Sequence, residues 1–409
     1  MCRPVALSAW IAELETVFAH LSRPQVKVLA EYSLGIVLAG RCGLSCVAFV
    51  LAQWLGQTFD TVRERVRDWY CGAADKSGRR RRELDVETCF GPLLAWVLRD
   101  WDGGDLAVAL DATTLGERFV VLAISVVYRS CAIPVAWTVM AAGAKGAHKP
   151  HWLRLLQQFK DLVPPHLNVI VLADRGLYAK WLFRAIVGLG WHPFLRINTY
   201  NADFKPDETG QYAPAASLLP RPGSAYAARG TMFRSADARL GGCTLLAQWS
   251  QEYAEGWFVL SDLPPERADS AWYALRGWIE RGFKHAKSGG WNWQDTRMTD
   301  PARAGRQWLA MAVASVLLMR EGTVPELQTG PAKAPPPQSQ DRTSTLTSTP
   351  PAPAARPPRR ILSVFRKGLL IAQSLLLANV PPPAGRFVPE PWPQPMSAVT
   401  NATPPAHPP

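Results

Sequence analysis

Apolar residues recur every three or four positions through residues 8–70. Trp10, Leu14, Val17, Phe18 and Leu21 form one such series, and Val47, Val50, Leu51, Trp54 and Leu55 another. That period predicts amphipathic helices. Thr58 or Asp60 is placed to cap a helix through Val62, Val66, Trp69 and Tyr70. From residue 105 the pattern changes. Short apolar runs rich in β-branched residues cover 106–110, 119–128 and 133–140, with a turn at Arg129–Ala132, and predict three consecutive antiparallel strands. Next come a helix near 149–162, a buried-type strand over 167–173, a helix over 177–189 and a strand over 192–197. Residues 198–265 mix Gly/Pro/Ala-rich loops with strand-like pieces at 229–235, 243–249 and 256–261. Helices are predicted over 270–290, between Ser270 as cap and Gly289-Gly290 as stop, and over 301–320.

Three strands, helix, strand, helix, strand is the order of a ribonuclease H-like α/β fold. The predicted organisation begins with an N-terminal helical domain over 1–74, followed by a basic loop and connecting helix over 75–104. An α/β domain follows in two pieces, 105–197 and 266–322, separated by a β-rich insertion over 198–265. Beyond it the composition shifts: residues 323–409 hold 21 of the 36 prolines. Such a segment buries too little apolar surface to offset its chain entropy. It predicts a Pro-rich linker over 323–360 and a disordered tail over 381–409. Between them, 361–380 has Leu362, Phe365, Leu369, Leu370, Leu376 and Leu377 at helical spacing, as an amphipathic helix docking on the body or on a second protomer.

The formal net charge of +12 favours a polyanionic partner, nucleic acid before an anionic membrane. Several short helices in a basic chain permit a helix-turn-helix, or a plain bundle. Four consecutive cations, Arg79, Arg80, Arg81 and Arg82, predict an exposed loop that contacts phosphates or is merely solvated. Seven scattered cysteines, with no secretory signal, suit free thiols in a reducing cytoplasm; Cys42 and Cys46 lack the partners of a zinc site. The apolar run 43–55 is too short to span a bilayer, so no membrane association is expected. No Gly-rich phosphate loop is present, and no nucleotide cofactor is expected.

The candidate chemistry lies in three carboxylates. Asp111 and Asp174 each end an apolar strand, where two acids on neighbouring strands repel unless a cation neutralises them. At helical spacing, Tyr273, Arg276, Glu280 and Lys287 share one stripe of the 270–290 helix, beside an apolar arc of Trp272, Leu275, Ile279, Phe283 and Ala286. A strand-end turn explains either aspartate alone, and a solvated face explains the stripe alone. Together they suit oxygen ligation of two Mg²⁺ or Mn²⁺ ions acting on a phosphodiester. Arg175, Arg196 and Arg297 are candidates to line a DNA path or to form structural ion pairs. Trp249, Trp257, Trp291 and Trp293 suit packing or base stacking.

Tyr273-x2-Arg276-x3-Glu280-x6-Lys287 matches the Y-R-E-K signature of a large group of bacterial insertion-sequence transposases, insertion-sequence family four and its relatives. Asp111-Ala-Thr-Thr resembles the first-aspartate motif of that family, and Ala173-Asp174-Arg175-Gly176-Leu177-Tyr178 the second. The resemblance covers about residues 8–322. It implies a DDE transposase that cuts mobile-element ends and joins 3′-hydroxyls to target DNA with Mg²⁺. On that basis Asp111, Asp174 and Glu280 are metal ligands. Tyr273, Arg276 and Lys287 contact phosphates of double-stranded DNA, and the protein acts as a homodimer. A ribonuclease H-like nuclease without strand transfer, and a non-catalytic DNA-binding regulator derived from a transposase, are the competing expectations.

Overall fold

The computed structural model describes residues 3–76, 82–99, 101–143, 148–160, 162–251, 253–328, 360–383 and 385–393. Arg79, Arg80 and Arg81, most of the predicted linker and the last part of the predicted tail lie outside the described residues.

Five helices open the chain: α1 (Val5–Val17), α2 (Arg23–Ala39), α3 (Leu44–Leu55), α4 (Phe59–Tyr70) and α5 (Phe90–Leu98). A capping box between Ser22 and Gln25 starts α2, and Gly40, at φ 63°, stops it. Thr58 caps α4, accepting from the Thr61 N–H at 3.4 Å. Helix α2 is buried continuously from Leu29 to Val37, which marks a core helix rather than a surface one. It packs on α9 (Pro301–Gln328), so these helices share one hydrophobic core with the α/β body. Among the described residues, no single helix is long and apolar enough to cross a membrane.

Ten strands form one sheet. In chain order they are β1 (Asp105–Leu115), β2 (Phe119–Tyr128), β3 (Cys131–Ala141), β4 (Asn168–Ala173), β5 (His192–Arg196), β6 (Asp203–Pro206), β7 (Ala213–Pro214), β8 (Ala225–Met232), β9 (Leu240–Gln248) and β10 (Trp257–Ser261). Their spatial order is β3-β2-β1-β4-β5-β10-β9-β8-β6-β7. The predicted succession is present: an antiparallel β1–β3 meander, α6 (Lys149–Gln157), β4 parallel to β1, α7 (Lys180–Gly188), and β5 parallel to β4. Arg129 and Ser130, both at positive φ, form the two-residue turn between β2 and β3. The insertion continues the same sheet, because β10 pairs antiparallel with β5. Strands β6 and β7, too short to leave a sequence pattern, extend it to the far edge.

Residues alternate between the two faces of β1. Leu106, Val108 and Leu110 join the large core, whereas Ala107 and Ala109 meet Leu275 and Ile279 of the segment following β10. That segment is not the single helix predicted over 270–290. It is a 3₁₀ turn over Ser270–Arg276 followed by α8 (Gly277–Ala286), with Lys287 beyond the helix end. Asp269 rather than Ser270 caps it, accepting from the Ala271 N–H at 2.7 Å. Residues three apart eclipse in a 3₁₀ turn, so Trp272 and Leu275 seat together on the sheet, and Tyr273, buried in the same cluster, precedes Arg276 by one turn. Trp291 and Trp293 are buried in the core, packing roles rather than base stacking.

The C-terminal segment departs most from composition. Helix α9 continues to Gln328, past the predicted end at 320. Helix α10 (Val364–Leu377) docks on α9 within the same chain. Residues 381–383 and 385–393, expected in a disordered tail, return along the body. Phe387 packs edge-on to Tyr128 at 5.2 Å, and Trp392 packs against Trp272 at 4.8 Å. Specific anchors outweigh the Pro-rich bias. Glu326 accepts from Arg129 at 2.8 Å, Arg360 at 2.9 Å and Lys367 at 2.9 Å, and Arg360 also pairs with Glu390. Burial pushes the Glu326 carboxyl up, but the Arg360 and Lys367 hydrogen bonds outweigh it and bring its pKa down to about 2. At the other end Gln373 donates to the Val37 carbonyl at 2.9 Å, and the Asn379 side chain accepts from the Ala6 N–H at 3.3 Å.

Glu321, buried on α9, has no hydrogen-bond partner among the described residues for either carboxyl oxygen, and burial pushes its pKa up to about 7. With the folded value above the unfolded one, the carboxyl's contribution to stability is intact below about pH 4.5 and lost as pH rises through about 7. Glu321→Gln should therefore melt higher than the parent by more at about pH 8 than at about pH 5, with a difference on the order of 2–3 kcal/mol. Equal gains at both pH values, measured by thermal denaturation, would show that the carboxyl finds a partner in solution.

Candidate active site

The register of the parallel pair β1–β4 fixes the first two acids. Leu110 is the neighbour of Ala173, so Asp111 and Asp174, each one residue further, stand at the same level. Asp174 follows the end of β4, but Asp111 does not end its strand as predicted: β1 runs on to Leu115 because it stays paired with β2. Asp111 shares its face of β1 with Ala107 and Ala109, the face that α8 covers. The approach is close because the contacting residues are small: a Cβ on Gly282 would stand 3.0 Å from that of Ala132. Helix α8 then presents Glu280 from above.

The three carboxylates meet on one guanidinium. Arg276 donates from Nη2 to Asp111 at 2.8 Å and to Asp174 at 3.4 Å, and from Nη1 to Glu280 at 2.5 Å. The site is graded in depth: the side chains of Asp111, Asp174 and Glu280 are 13%, 35% and 62% exposed. Burial raises the Asp111 pKa and Arg276 opposes the rise, as does the Ala112 N–H, which donates to Oδ1 at 2.8 Å. The Asp174 carboxylate is oriented by the N–H groups of Gly176 and Leu177, at 3.0 and 3.1 Å. Burial works against the Arg276 charge, but Asp111 and the surrounding anions prevail and its pKa is raised.

The other members of the signature are held differently from an evenly spaced helical stripe. Tyr273 is buried edge-on against Trp257 at 5.5 Å, and burial pushes its phenol up to about 12. The 3₁₀ turn directs its ring into the core, one turn before Arg276. Lys287 donates to the Thr113 hydroxyl at 2.7 Å, two residues beyond Asp111 on the same face of β1; burial lowers its pKa. Thr113 lies inside the quoted Asp-Ala-Thr-Thr motif, but its partnership with Lys287 is a tertiary contact with no local signal. The backbone past α8 turns tightly: Gly289 donates to the Lys284 carbonyl at 2.8 Å, and a Cβ on Gly290 would overlap the His285 carbonyl.

Arg175 and Arg196 both pair with Glu255, at 3.3 and 2.6 Å, the structural alternative for these cations. Arg297 is exposed beside the α9 entrance, and Arg82 is exposed with its carbonyl accepting from Lys76 at 2.6 Å. Two contacts that no pattern announced brace the segment over 270–286. Trp392 lies on Trp272, and Phe365 of α10 stacks on His285 of α8 at 4.1 Å with planes 6° apart.

The three carboxylates around Arg276 offer only oxygen donors, the type that suits a hard divalent ion. Among the described residues, no group of three or more His, Cys, Asp or Glu is arranged to hold a metal as it stands. The guanidinium takes the central position instead. A comparison with curated proteins finds no match. Among solved structures, the chain is similar to a piggyBac transposase synaptic complex with hairpin DNA, at 12% identity, covering 80% of each chain, with a TM-score of 0.33. The sequence profile described as the transposase DDE domain matches residues 105–317, a span that opens at β1, takes in Asp111, Asp174 and Glu280, and closes within α9. That match spans more than half of the chain, which thus belongs to the family of transposases with a DDE domain.

Proposed function

We propose that this protein cleaves DNA at the ends of a mobile element and joins the freed 3′-hydroxyls to target DNA, as a member of the Y-R-E-K group of insertion-sequence transposases. The observation that carries this reading is the meeting of Asp111, Asp174 and Glu280, from two adjacent strands and a helix, on the single guanidinium of Arg276. Asp111, Asp174 and Glu280 would hold two Mg²⁺ ions, with Mn²⁺ as an alternative. Bound there, the metal would lower the pKa of the attacking water or hydroxyl and stabilise the leaving oxygen. The chain's own residues bind and orient. Arg276 and Lys287 grip phosphate oxygens near the scissile bond, and buried Tyr273 holds Arg276 in place. Asp174, fixed by two backbone N–H groups, keeps its second oxygen directed at the site. Arg175, Arg297 and the cations of 79–82 track the DNA backbone. Pairing of two element ends calls for a homodimer on DNA.

Incubation with Mg²⁺, DNA carrying the terminal inverted repeats that flank the coding sequence, and a target plasmid tests the reading. Joined products are expected. Nicks without joining would reassign the protein as a nuclease, and mobility shifts without any product as a DNA-binding regulator.

A further inference from the structure

The guanidinium of Arg276 is placed where a metal ion would be needed. Both of its terminal nitrogens are committed to carboxylates, its Nε is buried with no hydrogen-bond partner among the described residues, and its side chain is only 16% exposed. Three carboxylates this close repel one another, and a single positive charge offsets only part of that repulsion. A divalent ion would offset more, but it competes for the same oxygen lone pairs and is repelled by the guanidinium. The two cations therefore exclude each other. The side chain ends a 3₁₀ turn on a long flexible stem, so it can leave by rotation without moving β1, β4 or α8. A phosphodiester offers an anionic partner of matching geometry.

We propose that Arg276 is the internal cation of the DNA-free protein, and that DNA admits the metal by drawing the guanidinium from the carboxylates onto a phosphate. This rests on the reading of the three acids as metal ligands. Its consequence is a site that resists metal until DNA is engaged, with DNA and metal each tightening the binding of the other.

The test is direct Mn²⁺ binding, followed by the paramagnetic signal of free Mn²⁺, with and without a short duplex of arbitrary sequence at low salt. Arg276→Gln should bind Mn²⁺ roughly tenfold or more tightly than the parent in the absence of DNA, since one repelling charge is gone. Arg276→Lys, which keeps the charge, should stay near the parent. The duplex should tighten Mn²⁺ binding to the parent and have little effect on Arg276→Gln. Equal or weaker binding by Arg276→Gln in a folded variant would overturn the proposal, and so would a parent whose Mn²⁺ affinity ignores DNA. Adding Asp111→Asn to Arg276→Gln separates the two levels. Lost Mn²⁺ binding upholds the acids as ligands whatever Arg276 does, whereas unchanged binding would remove the ligand assignment and the proposal with it.

Discussion

Asp111→Ala, Asp174→Ala and Glu280→Ala should each lose Mg²⁺-dependent strand cleavage by about 10³-fold or more, since groups that act together on one reacting centre fail together. DNA affinity should hold or rise slightly in all three, because each change removes a negative charge from a surface that meets phosphates. Depth separates their side effects. Asp111 is the most enclosed of the acids and the strongest partner of half-buried Arg276, so Asp111→Ala also leaves a cation poorly paired in the interior. A drop in thermal stability is expected there and not at Glu280, which is largely exposed. Asp111→Asn, which keeps the shape, distinguishes lost chemistry from lost packing. Gel assays of nicked product and fluorescence anisotropy with labelled duplex supply the two readouts; retained cleavage in any of the three would remove that residue from the ligand set.

Gly368→Ala should unseat α10. The helix crosses α9 at a point where Gly368 and Gly322 let the two backbones touch: a Cβ at Gly368 would overlap the Leu318 carbonyl, and one at Gly322 the Val364 carbonyl. Side-chain overpacking costs about 1–3 kcal/mol, and an unyielding backbone obstacle lies at or above the upper end. Hydrogen exchange should rise along 364–377, and the melting temperature should fall. His285 gives a local reporter. Burial, with Arg281 and Lys284 nearby, pushes its pKa down to about 4 while Phe365 covers its ring; unseating α10 should return it toward the ordinary histidine range, visible by NMR titration. Unchanged exchange and an unmoved His285 would mean that the crossing tolerates a methyl group. Gly322→Ala should act on the same contact, so the double variant should cost less than the sum of the singles.

The succession of strands and the two aspartates were legible because local signals carry them: apolar runs stop at Asp111 and Asp174, and the parallel pairing of β1 with β4 brings those two positions level. The spacing of Arg276 and Glu280 was legible as a pair four apart. That the same guanidinium also reaches both aspartates was not, since those contacts span more than a hundred residues. Helical periodicity described the 270–290 stretch well enough to place its apolar arc. It missed the 3₁₀ turn that buries Tyr273 and leaves Lys287 beyond the helix, because seating on the sheet overrode the local preference. Composition misled most at the C-terminus, where a few anchors, Phe387, Trp392 and the Arg360 pairs, decide the outcome against a proline-rich background.

The docking of 360–393 also bears on the order of events at the ribosome. Trp272 and His285, on either side of Glu280, wait for neighbours made some hundred residues later, and Ala6 near the start of the chain waits for Asn379 near its end. A nascent chain that has already formed its sheet still lacks the cover that steadies the glutamate helix. A truncated translation product ending before residue 360 would thus carry the three acids without that bracing.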